Sequence, residues 1–275
     1  MRRHRLAHGY KALLASIAVM AATNATWAGP KVISLDQCAD QYVVALAARS
    51  DIAGLSYRAR DSDSYLRAEA AGLPQRRATL ESVLGSGARI VVREWGGDVL
   101  MDRRLQGRGV QVVRIDDAQG FDGVRANVRR VAAALGRPAA GETLLARMDG
   151  ELKSAEGASG GRRALYLTPG GFTAGPDTLV GAMLAAAGLR NAAPGRDFAP
   201  MSLERLTADP PDAFVLGFFD PASMPGQRWS IGRHQALRRA MDERVLATLP
   251  ASILGCPAWF AADGALALAR ALSRP

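Results

Sequence analysis

Short apolar runs alternate with helical patterns along the chain after residue 28. Seven runs have the length and the aliphatic composition of buried strands, and they lie at 32–35, 52–56, 89–93, 110–115, 164–168, 213–219 and 252–255. Buried strands that alternate with helices are typical of parallel α/β layers. The pattern therefore predicts an α/β fold with mostly parallel sheets.

Helical periodicity is strongest in the middle of the chain. Residues 122–135 predict one helix, which should stop at Gly136-Arg137-Pro138 because glycine and proline both disfavour continuation. A further helix is predicted from about 139 to 155, and we interpret it as the connection between two lobes. An ordinary surface helix inside one larger domain is the alternative. Asp40 precedes the apolar positions that begin at Val43, as the cap of an earlier helix would.

The two halves of the chain repeat one plan. In each half a strand is followed by a hydroxyl residue that opens a short helix, by a glutamate in its first turn, and by another buried strand. The two helix starts are Thr79-Leu80-Glu81 and Ser202-Leu203-Glu204. We therefore predict two Rossmann-like lobes with a ligand cleft between them, divided as a leader at 1–28, an N-terminal α/β lobe at 29–137, one long connecting helix at 138–157 and a C-terminal α/β lobe at 158–275.

The first 28 residues have the three parts of a secretory signal peptide. A cationic start is followed by an apolar stretch at 12–22 and by small residues near Ala25 and Ala28. Cleavage would leave a secreted protein, which in a diderm bacterium lies in the periplasm. The leader holds four cations and no acid, so the formal charge of +9 falls to about +5 without it, spread along the chain without a basic run. We therefore expect no nucleic-acid partner.

Catalytic motifs are scarce in the sequence. His234 is the only histidine after the leader, so a histidine-rich metal site is not expected, and no Gly-x-Ser-x-Gly elbow is present. We expect no catalytic residues, no metal and no cofactor. A secreted α/β hydrolase that uses His234 with a nearby acid is the alternative from another class, and a two-lobed sensor that ignores a permease is a third possibility.

Aromatic side chains follow several predicted strands. Ligands of open α/β sheets collect outside the carboxyl ends of the strands, and indole rings in loops offer contact surface for a large, partly apolar ligand. The predicted ligand-binding residues, including two in the first cleft loop, are Asp36, Cys38, Tyr57, Arg58, Trp95, Gly96, Phe172, Trp229, Trp259 and Phe260.

The chain resembles the periplasmic substrate-binding proteins of ABC importers that carry cobalamin, ferric siderophores or haem. The residues that carry the resemblance are Lys31–Asp36, Thr79-Leu80-Glu81, Ser202-Leu203-Glu204, Arg89–Val92, Phe172–Gly175 and Pro257–Phe260. It spans about residues 30–272 and implies a monomeric receptor that hands a small molecule to an ABC permease in the inner membrane. By motif position, Glu81 and Glu204 are the carboxylates that dock onto permease arginines.

The ligand class stays open at this point. Trp95-Gly96-Gly97 and Trp259-Phe260 are most similar to the cobalamin-binding members, which implies a corrinoid. Ferric chelates or haem are the alternative, because Arg58, Arg93 or Arg228 could hold an anionic chelate.

The two cysteines, Cys38 and Cys256, are predicted on cleft-facing loops of opposite lobes. An oxidising compartment favours a disulfide, and a bond here would clamp the cleft shut. We expect free thiols instead, because a clamp would oppose ligand entry.

Overall fold

The computed structural model describes residues 29–157, 161–219, 241 and 244–274. The predicted leader at 1–28 lies outside the described residues, as do Arg228, Trp229 and His234. Within the described ranges no helix is both long enough and apolar enough to cross a membrane.

The first half of the chain builds a five-stranded parallel sheet with the order β3-β2-β1-β4-β5. Its strands are β1 (Val32–Ser34), β2 (Ile52–Ser56), β3 (Gln75–Arg76), β4 (Ile90–Glu94) and β5 (Gln111–Ile115). Four helices and one 3₁₀ turn (Arg49–Asp51) connect or follow them: α1 (Gln37–Leu46), α2 (Leu80–Gly85), α3 (Val99–Gln106) and α4 (Phe121–Ala134).

The second half builds a four-stranded sheet with the order β11-β10-β6-β8 and a separate two-stranded antiparallel ribbon, β7 with β9. The strands are β6 (Arg163–Leu167), β7 (Phe172–Ala174), β8 (Arg190–Asn191), β9 (Phe198–Pro200), β10 (Ala213–Gly217) and β11 (Val245–Leu249). The helices described here are α6 (Leu179–Ala186), α7 (Leu203–Ala208), α8 (Ala251–Leu254) and α9 (Ala261–Leu272). Helix α5 (Pro138–Ala155) lies between the two halves.

The predicted α/β fold is confirmed, and the two sheets are related as the sequence repeat indicates. Strand β4 pairs in parallel with β1, and β10 pairs in parallel with β6. The short helix before each of these strands begins in the same way. The Thr79 hydroxyl accepts the amide of Ser82 at 3.2 Å, and the Ser202 hydroxyl accepts the amide of Arg205 at 3.1 Å. The repeated sequence therefore encodes a repeated strand–helix–strand unit.

Helix boundaries in the middle of the chain follow the breakers read from the sequence. Helix α4 ends at Ala134, and Gly136 adopts a φ of 68°, a left-handed conformation that favours glycine. Pro138 then occupies the first turn of α5, where a missing amide hydrogen costs nothing.

One predicted strand and one predicted helix cap are wrong. Residues 252–255 were expected to form a strand, but Ala251–Leu254 form helix α8, and the neighbouring strand is β11 at Val245–Leu249. A short apolar run is compatible with both a strand and a helix, so the spacing of its apolar residues does not decide between the two. Asp40 does not cap α1; Asp36 does, through a 2.8 Å bond from the Ala39 amide.

Asp40 is instead buried inside the N-terminal lobe. Its carboxylate accepts the backbone amide of Ser56 at 2.7 Å and the hydroxyls of Ser34 and Ser56. Burial raises the pKa of Asp40 to about 6, although these hydrogen bonds oppose the shift. Asp40 thus ties β1, β2 and α1 together beneath the edge of the sheet where the strands end.

The end of the chain returns to the first lobe. Cys256, Ala258, Trp259 and Phe260 pack in the same buried cluster as β1, β4, α1 and α4. Helix α9 then packs against α5 and α6. The C-terminal segment therefore belongs to both halves of the molecule.

Candidate ligand cleft at the carboxyl ends of the strands

A cavity of about 240 Å³ lies between the two halves. One wall comes from the segments that follow β4 and β5, and includes Glu94, Trp95 and 117–119. The opposite wall comes from 177–180, Met183, Asp197 and Phe198, and the floor is 254–257. Because β4 and β5 are parallel, their carboxyl ends meet at one edge of the sheet, where ligands of α/β folds bind.

The two walls carry aromatic rings. Trp95 is 54% exposed and Phe198 is 59% exposed, although both are large apolar residues. Phe172 lies diagonally from Phe198 on the same face of the β7–β9 ribbon, since Phe172 pairs with Pro200 and Ala174 pairs with Phe198. Phe198 was missed from the sequence because the short ribbon strand that holds it was not predicted. Apolar rings on facing walls suit a ligand with broad apolar faces.

The loop that carries Trp95 is fixed from behind. The Asp36 carboxylate accepts the Glu94 amide at 2.7 Å while it caps α1, and the Trp95 amide donates to the Ile115 carbonyl at 2.9 Å. Gly96 has a φ of 78°, which lets the chain turn directly after Trp95. Asp36 and Gly96 do not line the cavity. They position the Trp95 loop, and the direct ligand contact predicted for them stays a prediction.

Glu94 is the half-buried acid of the N-terminal wall. Burial, together with the nearby carboxylates of Asp36 and Asp117, raises the pKa of Glu94 to about 7. Burial likewise raises the pKa of Asp36. The cleft therefore contains a carboxyl group that changes charge near neutral pH.

Comparison with known proteins identifies this arrangement. The model of the family described as "Periplasmic binding protein" matches residues 89–218. The periplasmic heme-binding protein RhuT from Roseiflexus sp. RS-1 has a TM-score of 0.67 at 24% identity, over 89% of this chain and 98% of that one. The chain has the fold of a periplasmic binding protein.

Other solved binding proteins are similar at lower identity. The periplasmic heme binding protein HutB of Vibrio cholerae has a TM-score of 0.72 at 17% identity, over 89% of this chain and 99% of that one. The periplasmic vitamin B12 binding protein BtuF of Vibrio cholerae has a TM-score of 0.63 at 14% identity, over 89% and 97%. No curated protein matches the chain. The resemblance read from the sequence is confirmed.

Trp259 and Phe260 do not reach the cleft. They are 2% and 0% exposed and lie in the core of the first lobe. Trp259 contacts Tyr42 edge-on at a ring-centroid distance of 5.4 Å, and Phe260 stacks on Tyr65 at 4.2 Å. The predicted ligand contact of both residues is wrong, because the segment after α8 turns inward instead of following the rim.

The expectation of free thiols is also wrong. Cys38 and Cys256 form a disulfide with a Cα–Cα distance of 5.3 Å, and Cys38 is buried. Both cysteines lie in the core cluster of the first lobe, so the bond does not cross the cleft. The bond ties the cleft floor to α1, and Cys38 has no thiol to offer a ligand.

Two of the three arginines considered for an anionic ligand are already paired, and the third, Arg228, lies outside the described residues. Arg58 contacts Asp61 and Asp63, each at 3.2 Å. Arg93 contacts Asp102 at 2.8 Å, and its guanidinium lies where a side chain at Gly97 would stand. Tyr57 is exposed but does not line the cavity, and Trp229 lies outside the described residues.

Glu81 and Glu204 occupy matching positions at the starts of α2 and α7. Both side chains are exposed, and each lies in the first turn, where the helix dipole favours an anion. No group of three or more metal-ligating side chains is assembled among the residues that the structure describes.

Proposed function

We propose that this binding protein captures a corrinoid in the cleft and delivers it to an ABC permease. The single observation that carries the proposal is the pair of exposed rings, Trp95 and Phe198, on facing walls of the cavity. A corrin ring has broad apolar faces and needs few hydrogen bonds to be held between two aromatic side chains. The cavity is smaller than the roughly 300 Å³ at which ligand pockets begin, so we infer that the lobes separate or that the ligand extends past the rim.

Haem is the second candidate ligand. Two of the similar solved structures, RhuT and HutB, are named as heme-binding proteins. A ferric siderophore gains less support, because Arg58 and Arg93 are both engaged by carboxylates. The alternative of a hydrolase gains no support from the family model or from the solved structures named above, which are of binding proteins.

We infer for the whole chain the two-lobed organisation that the resemblance to periplasmic binding proteins implies. The leader at 1–28 is removed, and the mature protein acts in the periplasm as a monomer. The N-terminal lobe is 29–137, the connecting helix is 138–157 and the C-terminal lobe is 158–275. Helix α5 supports this division, since it lies between the two sheets in the chain and packs against both α4 and α9.

Ligand identity is tested by equilibrium dialysis of the mature protein against cyanocobalamin, haemin and a ferric siderophore, with the retained ligand read by absorbance. We expect cyanocobalamin to be retained most tightly. Trp95→Ala and Phe198→Ala should each weaken its binding about tenfold or more, since each removes a ring worth about 1.4 kcal/mol of contact.

Leu100→Ala is the matched control for these two variants. Leu100 is an exposed apolar residue on α3, close in sequence to Trp95 but not part of the cavity lining. The Leu100→Ala variant should bind cyanocobalamin with the affinity of the unchanged protein. If all three variants bind alike, the aromatic walls do not hold the ligand.

Permease docking is tested by charge reversal. We expect Glu81→Lys together with Glu204→Lys to abolish uptake in cells, because both fixed anionic points would then repel permease arginines. Ligand affinity in solution should be unchanged, since neither residue lines the cavity. Glu69→Lys, an exposed glutamate outside the two helix starts, is the control and should leave uptake intact. Normal uptake by the double variant would remove the docking role and would favour a sensor.

A further inference from the structure

Glu94 is an acid of the cleft that has no cation beside it among the residues that the structure describes. It ends β4 and lines the cavity next to Trp95. The acids nearest to it are Asp36, from the start of α1, and Asp117, from the segment after β5, and both oppose its ionisation. Its carboxyl oxygens have no hydrogen-bond or ion-pair partner among the described residues.

The cations of the neighbouring elements are turned toward other acids. Arg93, one residue before Glu94, contacts Asp102 behind the loop. Arg114 on β5 contacts the same Asp102, at 2.6 Å, and Arg130 on α4 contacts Asp116 at 2.7 Å.

Across the cleft, the one described cation close to the wall is also paired. Arg196 holds Asp177 through two hydrogen bonds of 2.5 and 2.6 Å. No lysine or arginine is among the described residues that line the cavity, whereas Asp197 adds a further acid at the rim. The described lining therefore presents carboxylates, Glu94 among them, that no cation of the described residues neutralises.

We propose that Glu94 is a specificity-determining residue that makes the cleft reject ligands with carboxylates and accept ligands with amides. This inference rests on the proposed function and decides between its two candidate ligands. Haem carries propionate carboxylates, which a half-buried carboxylate repels more strongly than an exposed one would. A corrin ring carries carboxamides, whose N–H groups can donate to the carboxylate of Glu94.

The discrimination should depend on pH near neutrality. Because the pKa of Glu94 is raised to about 7, the side chain is an anion at pH 8 and largely a neutral acid at pH 6. Repulsion of a propionate is thus present above pH 7 and is lost as the pH falls through 7. Haemin binding to the unchanged protein should strengthen over this interval.

The experiment compares dissociation constants for cyanocobalamin and haemin at pH 6, 7 and 8 in the mature protein and its variants. At pH 8, Glu94→Gln should bind haemin about tenfold more tightly than the unchanged protein, and its haemin affinity should be nearly independent of pH. Glu94→Asp keeps the charge and should keep the preference for cyanocobalamin. Glu69→Gln, which removes an exposed acid away from the cavity, should change neither constant.

The outcomes distinguish failure of the role proposed for Glu94 from failure of the proposed function. If the unchanged protein binds either ligand but Glu94→Gln leaves the ratio of the two constants and its pH dependence unchanged, the role of Glu94 is wrong while the proposed function stands. If neither ligand binds any of the four proteins, both proposals fail. Thermal unfolding of each variant establishes that it is folded, and Glu94→Asp provides the charge comparison should Glu94→Gln not fold.

Discussion

Replacing Cys38 and Cys256 with serine should lower the free energy of unfolding by about 2–5 kcal/mol. The disulfide closes a loop with a sequence separation of 218, so it removes much of the conformational freedom of the unfolded chain. In the chain-entropy description a loop of this length corresponds to about 5 kcal/mol, and native-state relaxation usually reduces the effect. Urea denaturation of the oxidised protein and of the double variant measures the difference.

The reduced, unchanged protein is the control for this variant, and its unfolding midpoint should approach that of the double variant. Denatured, unreduced protein should show no reactive thiol, because its only two cysteines are bonded. Ligand affinity should change less than stability, since the bond packs in the core of the first lobe and does not close the cleft, although Cys256 belongs to the cleft floor. Two reactive thiols in the oxidised protein would contradict the assignment.

Trp259→Ala should destabilise the protein by about 3–5 kcal/mol, the usual loss when a buried tryptophan is truncated. Trp259 is 2% exposed and contacts the rings of both Tyr42 and Phe260. Truncation would leave a cavity at the centre of the first core. Chemical denaturation followed by circular dichroism measures the loss.

Trp95→Ala is the matched comparison, because it removes the same side chain from the cleft wall. Trp95 is half exposed, so its truncation should change stability by no more than about 0.5 kcal/mol. Trp259→Ala should therefore lose stability, whereas Trp95→Ala should lose ligand affinity. A stable Trp259→Ala variant that fails to bind ligand would restore the role first predicted for Trp259.

Local patterns in the sequence were sufficient to predict much of the fold. The Thr79 and Ser202 helix starts, the breaker at Gly136–Pro138 and the buried strand at Ile90–Glu94 all depend on residues within a few positions of one another. Such signals are carried by hydrogen bonds and steric limits that act within one turn or one strand. These local signals were sufficient to predict that the α/β unit occurs twice in the chain.

The candidate site was less accessible to sequence reasoning because it depends on contacts between distant segments. Trp95 and Trp259 both follow apolar runs, but only the packing of the chain end against α1 buries Trp259. The same packing brings Cys256 to Cys38. Phe198 belongs to a ribbon formed by two three-residue strands, which are too short for their alternation to be recognised.

Residues 256–260 return to a core whose other members begin at Val32. The first lobe therefore cannot acquire its largest buried ring until residue 259 has been synthesised. A nascent chain that stops before this segment leaves apolar surface of the early half uncovered, so the usual order, in which an N-terminal domain matures first, does not apply here. Formation of the disulfide must likewise await Cys256, which lies 218 positions after Cys38.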